Sequence, residues 1–278
     1  MKKRSFRNVT LMVIKRMSEP YYQGVAAELA FFFLLSLVPI VIILGEMLGL
    51  FSISMVFVRN LISEYVSPEI FDSLSEYLTY TPSGVISIAF LIFALWAASK
   101  AQYSMMRITN YSFTGHPYGG RSYFRERLRA IKTIVITLFT ISFGLLVLVY
   151  GEILINILTA YVNKYMDIDF VFDNVWFVLR WPVATLLFFL MISYNYYVLP
   201  SERIPFKKIL PGSIVASAGI LLATSIYSYY ASVFANYDLL YGSLAAIVAL
   251  LFWFYILGYI LVIGIQVNVV WDELNPNK

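Results

Sequence analysis

Six runs of apolar residues, at 27–51, 84–105, 133–158, 176–199, 212–233 and 242–270, alternate along the chain with shorter polar stretches. At a rise of about 1.5 Å per residue each run is long enough to cross a hydrocarbon layer about 30 Å thick. Within such a layer every backbone N–H and C=O must find its partner inside the segment, so each run predicts a helix and not a strand. The pattern therefore predicts an all-α polytopic membrane protein. Six transmembrane helices and their amphipathic interfacial companions use nearly the whole of 1–278, leaving one domain.

The polar gaps are of two kinds. Lys2, Lys3, Arg4, Arg7, Lys15 and Arg16 precede the first run, Arg107, Arg121, Arg125, Arg127, Arg129 and Lys132 lie between the second and third, and Arg203, Lys207 and Lys208 follow the fourth. The alternate gaps hold only Arg59 and Lys164 as cations, against Glu64, Glu69, Asp72, Glu76, Asp167, Asp169, Asp173 and Asp238. Cations are retained on the cytosolic side, so the basic gaps are expected there and the acidic ones outside. An even number of spans returns Trp271 to Lys278 to the starting side, and both termini are expected to be cytosolic.

Amphipathic stretches fill the remaining space. Phe6, Val9, Val13 and Met17 recur at helical spacing with basic residues on other faces, so 1–20 reads as a cytosolic interfacial helix on an anionic leaflet, ended by Glu19-Pro20. The apolar run behind it starts after residue 25 and lacks a small-x-small exit, which predicts a retained anchor and not a signal peptide. In the outer connection, 52–83, Ile53, Val56, Phe57 and Leu61 form one stripe; Phe71, Leu74 and Leu78 form another after Ser67-Pro68. Such stripes suit either packing at the lipid interface or a lid over a site. Tyr227, Tyr229, Tyr230, Tyr237 and Tyr241 at the outer end, and Tyr194, Tyr196 and Tyr197 at the inner, read as aromatic belts.

Composition narrows the function. Hydrophobic residues make up 60% of the chain and charged ones 13%, so no segment resembles a sizeable soluble domain. The net charge of +4 comes from cations beside membrane spans, where topology and anionic lipid explain them without nucleic acid. The absence of cysteine excludes disulfides and thiolate metal sites.

Polar residues inside the spans are the informative ones, because ionised groups are costly in hydrocarbon and usually face protein or water. Glu46, Glu152 and Arg180 fall in the outer part of the membrane; Glu28, Lys100, Gln266 and Asn268 fall near the inner boundary. Glu152 and Arg180 flank one short connection, and an antiparallel hairpin would bring them within ion-pair reach, either as a structural pair or as part of a pathway. Glu28 and Lys100 lie close enough to the interface to snorkel. Pro39 and Pro182 are candidate hinges. Gly212, Ala216, Gly219 and Ala223, then Gly242, Ala245, Ala246 and Ala249, predict close packing of the fifth and sixth spans. The two halves, three helices in and three out, show no convincing self-similarity.

The segment AAELAFFFLLSLVPIVIIL, Trp96 with Ser99, Asn110 ahead of a basic stretch, Pro200 before Pro211-Gly212, Tyr241-Gly242 before Trp253, and Gly264 together resemble the YihY/BrkB family of bacterial inner-membrane proteins, over essentially the entire chain. The resemblance implies a multi-pass six-helix bundle of the cytoplasmic membrane, in a family that carries old labels of virulence factor and of ribonuclease. The acid usual there two residues after Gly264 is Gln266 here.

The chemistry of a ribonuclease is not legible. A nuclease needs an acid–base pair or clustered metal-binding carboxylates, and this chain has one histidine, His116, in a Gly-Pro-flanked loop. GHPYGGRS at 115–122 has the spacing of a phosphate loop with Arg121 in the lysine position, but it joins two membrane helices and lacks the strand such a loop follows. No catalytic residue, metal site or cofactor is expected. The expected function is transporter-like, the movement or exposure of an amphipathic envelope molecule; a non-transporting, partner-binding envelope scaffold is the alternative. Expected partners are membrane lipids, that amphipathic substrate and a second copy of the chain, with no nucleic acid. A transporter should contain a polar cavity reaching the midplane or opening to lipid, and a scaffold a filled core.

Overall fold

A computed structural model describes residues 6–49, 84–116, 122–166, 175–202, 204–234 and 243–275. They form seven α-helices and one 3-10 turn, with no strand among the described residues. The helices are α1 (Phe6–Met17), α2 (Pro20–Gly49), α3 (Gly84–Thr114), α4 (Tyr123–Met166), α5 (Val175–Val198), α6 (Leu210–Phe234) and α7 (Ser243–Leu274); the 3-10 turn is Phe206–Lys208. Each of the six apolar runs coincides with one of α2 to α7. The connection 52–83, expected to be outer, lies outside the described residues.

Helix ends follow local chemistry. Ser18 closes α1 by donating its hydroxyl to the Lys15 carbonyl at 2.7 Å, and Lys15 and Arg16 in the last turn suit the negative end of the helix. Pro20 occupies the first turn of α2, where its missing N–H costs nothing, so Glu19-Pro20 opens a helix as well as ending one. Gly115 ends α3 with φ at 75°, a left-handed position that glycine takes without a Cβ clash, and its N–H donates to the Tyr111 carbonyl at 2.8 Å. Pro39 and Pro182 lie within helices that run on unbroken.

Sequential helices pack as neighbours from α2 round to α7, and α7 returns to α2, closing the bundle; α3 also touches α7, and α1 lies against α7. Leu29, Met106, Ile108, Leu199, Ile209, Val262 and Ile265 fill the core. Apolar residues also cover the outside: Phe139 and Phe143 of α4, Leu186 of α5, Leu222 and Ile226 of α6 and Phe252 of α7 are all exposed. An apolar exterior around a polar-containing interior is what a bilayer solvates. By length and composition four helical stretches are suited to crossing it, Tyr123–Val147, Leu179–Val198, Leu210–Tyr230 and Ile247–Leu274, among the described residues.

Two assignments change in three dimensions. The stripe Val9, Val13 and Met17 on α1 packs into the main core, while Leu11 and Ile14 face outward. Tyr196 is not a belt residue: it is 3% exposed, and its hydroxyl donates to the Leu261 carbonyl at 2.8 Å. Tyr229 and Tyr230 are exposed as a belt requires. Because the Tyr196 ring packs independently of its hydroxyl, Tyr196→Phe is expected to cost about 1 kcal/mol and Tyr196→Ala about 3–5 kcal/mol. Thermal unfolding in detergent reads both, and equal losses would deny the ring its packing role.

Candidate functional site

The described polar side chains gather at the end of the bundle that carries the basic gaps. The α5–α6 connection begins at Leu199 and Pro200, just past the last residue of α5, and their carbonyls have no helical partners. Arg129 on α4 supplies them: its guanidinium donates to the Leu199 and Pro200 carbonyls, each at 2.8 Å. It also lies 2.7 Å from the Glu126 carboxylate one turn earlier, and Glu126 is almost wholly buried. Ser201 completes the joint, its hydroxyl donating to Glu126 at 3.3 Å and its backbone N–H to Asn110 Oδ1 of α3 at 2.8 Å. Three elements distant in sequence are thereby tied by buried polar groups.

A second joint fixes α6 against α7. The Gly212 N–H belongs to the first turn of α6, which has no helical acceptor for it, and Asn268 of α7 provides one at 2.7 Å. Gly212 and Gly264 let the two backbones approach this closely: a Cβ on Gly264 would meet the Gly212 carbonyl and the Ala216 methyl, each at 2.9 Å, and the Tyr196 hydroxyl nearer still. Gln266, fully buried, donates to Ser112 of α3 at 2.7 Å.

Ion pairs form the rim. Asp272 and Glu273 sit in the last turn of α7, where the helix dipole disfavours acids. Each has a cation from elsewhere: Lys208 of the 3-10 turn meets Asp272, and Arg16 of α1 meets Glu273 at 2.5 Å. Glu28 of α2 pairs with Arg107 of α3. On the facing side Arg127 donates to the Trp96 carbonyl at 3.1 Å and lies over the Tyr103 ring. At the α1–α2 corner, burial pushes the Tyr22 hydroxyl pKa up.

Between these joints lies a cavity of about 210 Å³, lined by Asn110, Phe113, Thr114, Glu202, Lys208 and Asp272 among others. Beneath it, between Phe113, Tyr196, Ile265 and Asn268, the free space is only about 10 Å³. Among the described residues no group of three His, Asp or Glu side chains is placed to hold a metal ion.

The residues singled out from the sequence divide in three. Glu28, Gln266 and Asn268 are engaged across helices at the basic end; Glu28 is held by Arg107, and Lys100 lies over the Trp96 ring at 5.2 Å. Arg180 is partly buried, with its guanidinium over the Trp181 ring. The side chains of Pro39, Glu46 and Glu152 lie outside the described residues, and with them the Glu152–Arg180 pairing. Glu126, Arg129 and Ser201 were missed as a site. Their sequence signal was an acid between arginines opposite a helix-ending proline, and the positive charges there had a sufficient explanation in topology.

Comparison with known proteins gives the same result from several directions. A family model described as virulence factor BrkB matches residues 13–278. The ribonuclease-like protein YfkH of Bacillus subtilis is 31% identical over 251 residues, 88% of each chain. A UPF0761 membrane protein of Haemophilus influenzae is 24% identical over 97% of each chain, and the UPF0761 membrane protein YihY of Salmonella typhimurium is 30% identical over 40% of this chain and 37% of its own. No solved structure matches.

Proposed function

The chain belongs to the BrkB family of membrane proteins, and from that premise we propose that it is a six-span protein of the bacterial cytoplasmic membrane that moves or exposes an amphipathic envelope molecule. Its basic end and both termini face the cytosol, and the joint of Asn110, Glu126, Arg129 and Ser201 is its gate. The protein has no catalytic role in this reading, and the ribonuclease-like name of its Bacillus relative does not carry over.

The observation that carries the proposal is the chemistry of the seal. Apolar residues would close a bundle end at least as well as a buried ion pair, whose desolvation offsets much of its attraction. A seal of hydrogen bonds to a helix-ending loop has a second state, in which water takes over the same carbonyls, and that makes it suitable for opening. A non-transporting scaffold is the alternative reading, and the test separates the two.

The chain contains no cysteine, which makes a clean background for introduced thiols. Asn110→Cys with Ser201→Cys, cross-linked in proteoliposomes, is expected to stop flux of a fluorescent phospholipid, and a reductant should restore it. Lipid flux that ignores the cross-link would end the gate, and no flux from folded, uncross-linked protein would leave the scaffold. Reporter fusions at residues 1, 115 and 278 are expected to read cytosolic; an outward signal from any of them would break the six-span topology.

A further inference from the structure

The cavity at the basic end has the charge layout of a small zwitterion site. Its volume of about 210 Å³ is that of roughly seven liquid waters, enough for a headgroup-sized ligand and too little for a lipid chain or a drug-sized molecule. Lys208 and Asp272 form an ion pair in its wall, and Glu202, with no ion pair among the described residues, adds a second acid. Among the described lining residues one cation thus stands against two acids, and Glu202 is open to a ligand's ammonium. Two helices end here as well, α3 at Thr114 and α7 just beyond Asp272, and helix C-termini favour a cation. Phe113 lines both this cavity and the neighbouring space of about 10 Å³, which Ile265 also lines.

We infer that this cavity binds a primary-amine zwitterion of the aminoalkyl phosphodiester type, with its ammonium between Glu202 and the C-terminal end of α3 and its phosphate sharing Lys208 with Asp272. The ligand adds an ion pair at Glu202 while keeping the Lys208–Asp272 pair, and so fixes the α5–α6 connection against α7. Asn110 belongs both to the cavity wall and to the joint with Ser201, so occupancy bears on that joint directly. The inference rests on the cavity and not on transport, and it stands whether or not the bundle moves a substrate.

The test is calorimetric titration of the full chain in phosphatidylglycerol nanodiscs, which supply no competing amine. Glycerophosphoethanolamine is expected to bind at least about tenfold more tightly than either half alone, ethanolamine or glycerol 3-phosphate, because only the whole ligand meets both charges. Glu202→Gln, at an exposed position whose change leaves folding intact, should weaken it by about tenfold. Thr114→Trp should remove binding by filling the space. Repeating the titration in phosphatidylethanolamine nanodiscs distinguishes the source: a weakened soluble probe identifies the membrane headgroup as occupant, and an unchanged one identifies a free solute. Equal affinity for glycerol 3-phosphate, binding that survives both substitutions, or no saturation into the millimolar range would overturn the assignment. Because the titration reads binding and not flux, its failure is separate from failure of the gate.

Discussion

Gly264→Ala is expected to cut the yield of folded protein severely and to lower its unfolding temperature in detergent more than any other single methyl addition among the described glycines except that at Gly212. The new Cβ would stand 2.9 Å from both the Gly212 carbonyl and the Ala216 Cβ, and closer to the Tyr196 hydroxyl. None of these is the free end of a flexible side chain. Relief requires α6 to move from α7, which stretches the Gly212 to Asn268 hydrogen bond and strands a buried N–H. Overpacking at about 1–3 kcal/mol and the lost bond at about 1–3 kcal/mol together remove much of a typical domain's stability. Tyr196→Phe should return part of the loss by removing one obstacle. Gly24 supplies the contrast: nothing lies within 4 Å of its Cβ position, and Gly24→Ala in an exposed helical site should stabilise by about 0.5–1 kcal/mol. If Gly264→Ala unfolds at the same temperature as the parent protein, the close approach of α6 and α7 is wrong.

The small residues of α6 announced such an approach in the sequence, with Gly242, Ala245, Ala246 and Ala249 as the expected partners, but the contacts of Gly212 and Gly219 land further along α7. Small-residue spacing marks a helix face; the partner residue depends on crossing geometry, and here Gly212 and Gly219 meet Gly264, Asn268 and Ile260. The same limit applies to α1. Its apolar period was plain, yet periodicity identifies a buried face without identifying what buries it, and a protein core and a lipid leaflet leave the same signature. Helix existence was legible throughout because a membrane-length apolar run has one structural outcome.

The site was less legible because its parts are far apart in the chain. Glu28 and Arg107 lie on separate helices, as do Gln266 and Ser112, so sequence order carried no hint of the pairings. The number of cations in the second basic gap gives topology, whereas the structure divides their labour: Arg129 holds the two carbonyls just past α5, Arg127 holds the Trp96 carbonyl, and Arg107 neutralises Glu28. Tyr196 was grouped with Tyr194 and Tyr197 by composition, although one turn of a helix points its neighbours in different directions. Asn110 and Gly264 entered through the family resemblance, and both stand at joints between helices.

Arg129→Met is expected to be the most damaging removal of a single charge. Its guanidinium bridges two carbonyls at the end of α5, the Ser201 hydroxyl and a nearly fully buried carboxylate, and methionine fills the volume while serving none of them. Breaking a buried pair in this way costs about 3–5 kcal/mol, against less than about 1 kcal/mol for an exposed one. Arg16→Ala is the exposed comparison, since Glu273 is 45% accessible to solvent and water can replace the lost cation. Arg129→Lys should recover little, because one ammonium on a flexible stem cannot reproduce the planar fork that reaches adjacent carbonyls and Glu126 together. Glu126→Gln in the Arg129→Met background should be milder than the sum of the two single losses, because neither change then leaves a partner charge behind. Thermal unfolding of these variants, with Glu126→Gln alone beside them, decides the matter. Were Arg129→Met no worse than Arg16→Ala, the joint would be an incidental contact, and with it would fall the physical reason for regarding that end of the bundle as a gate.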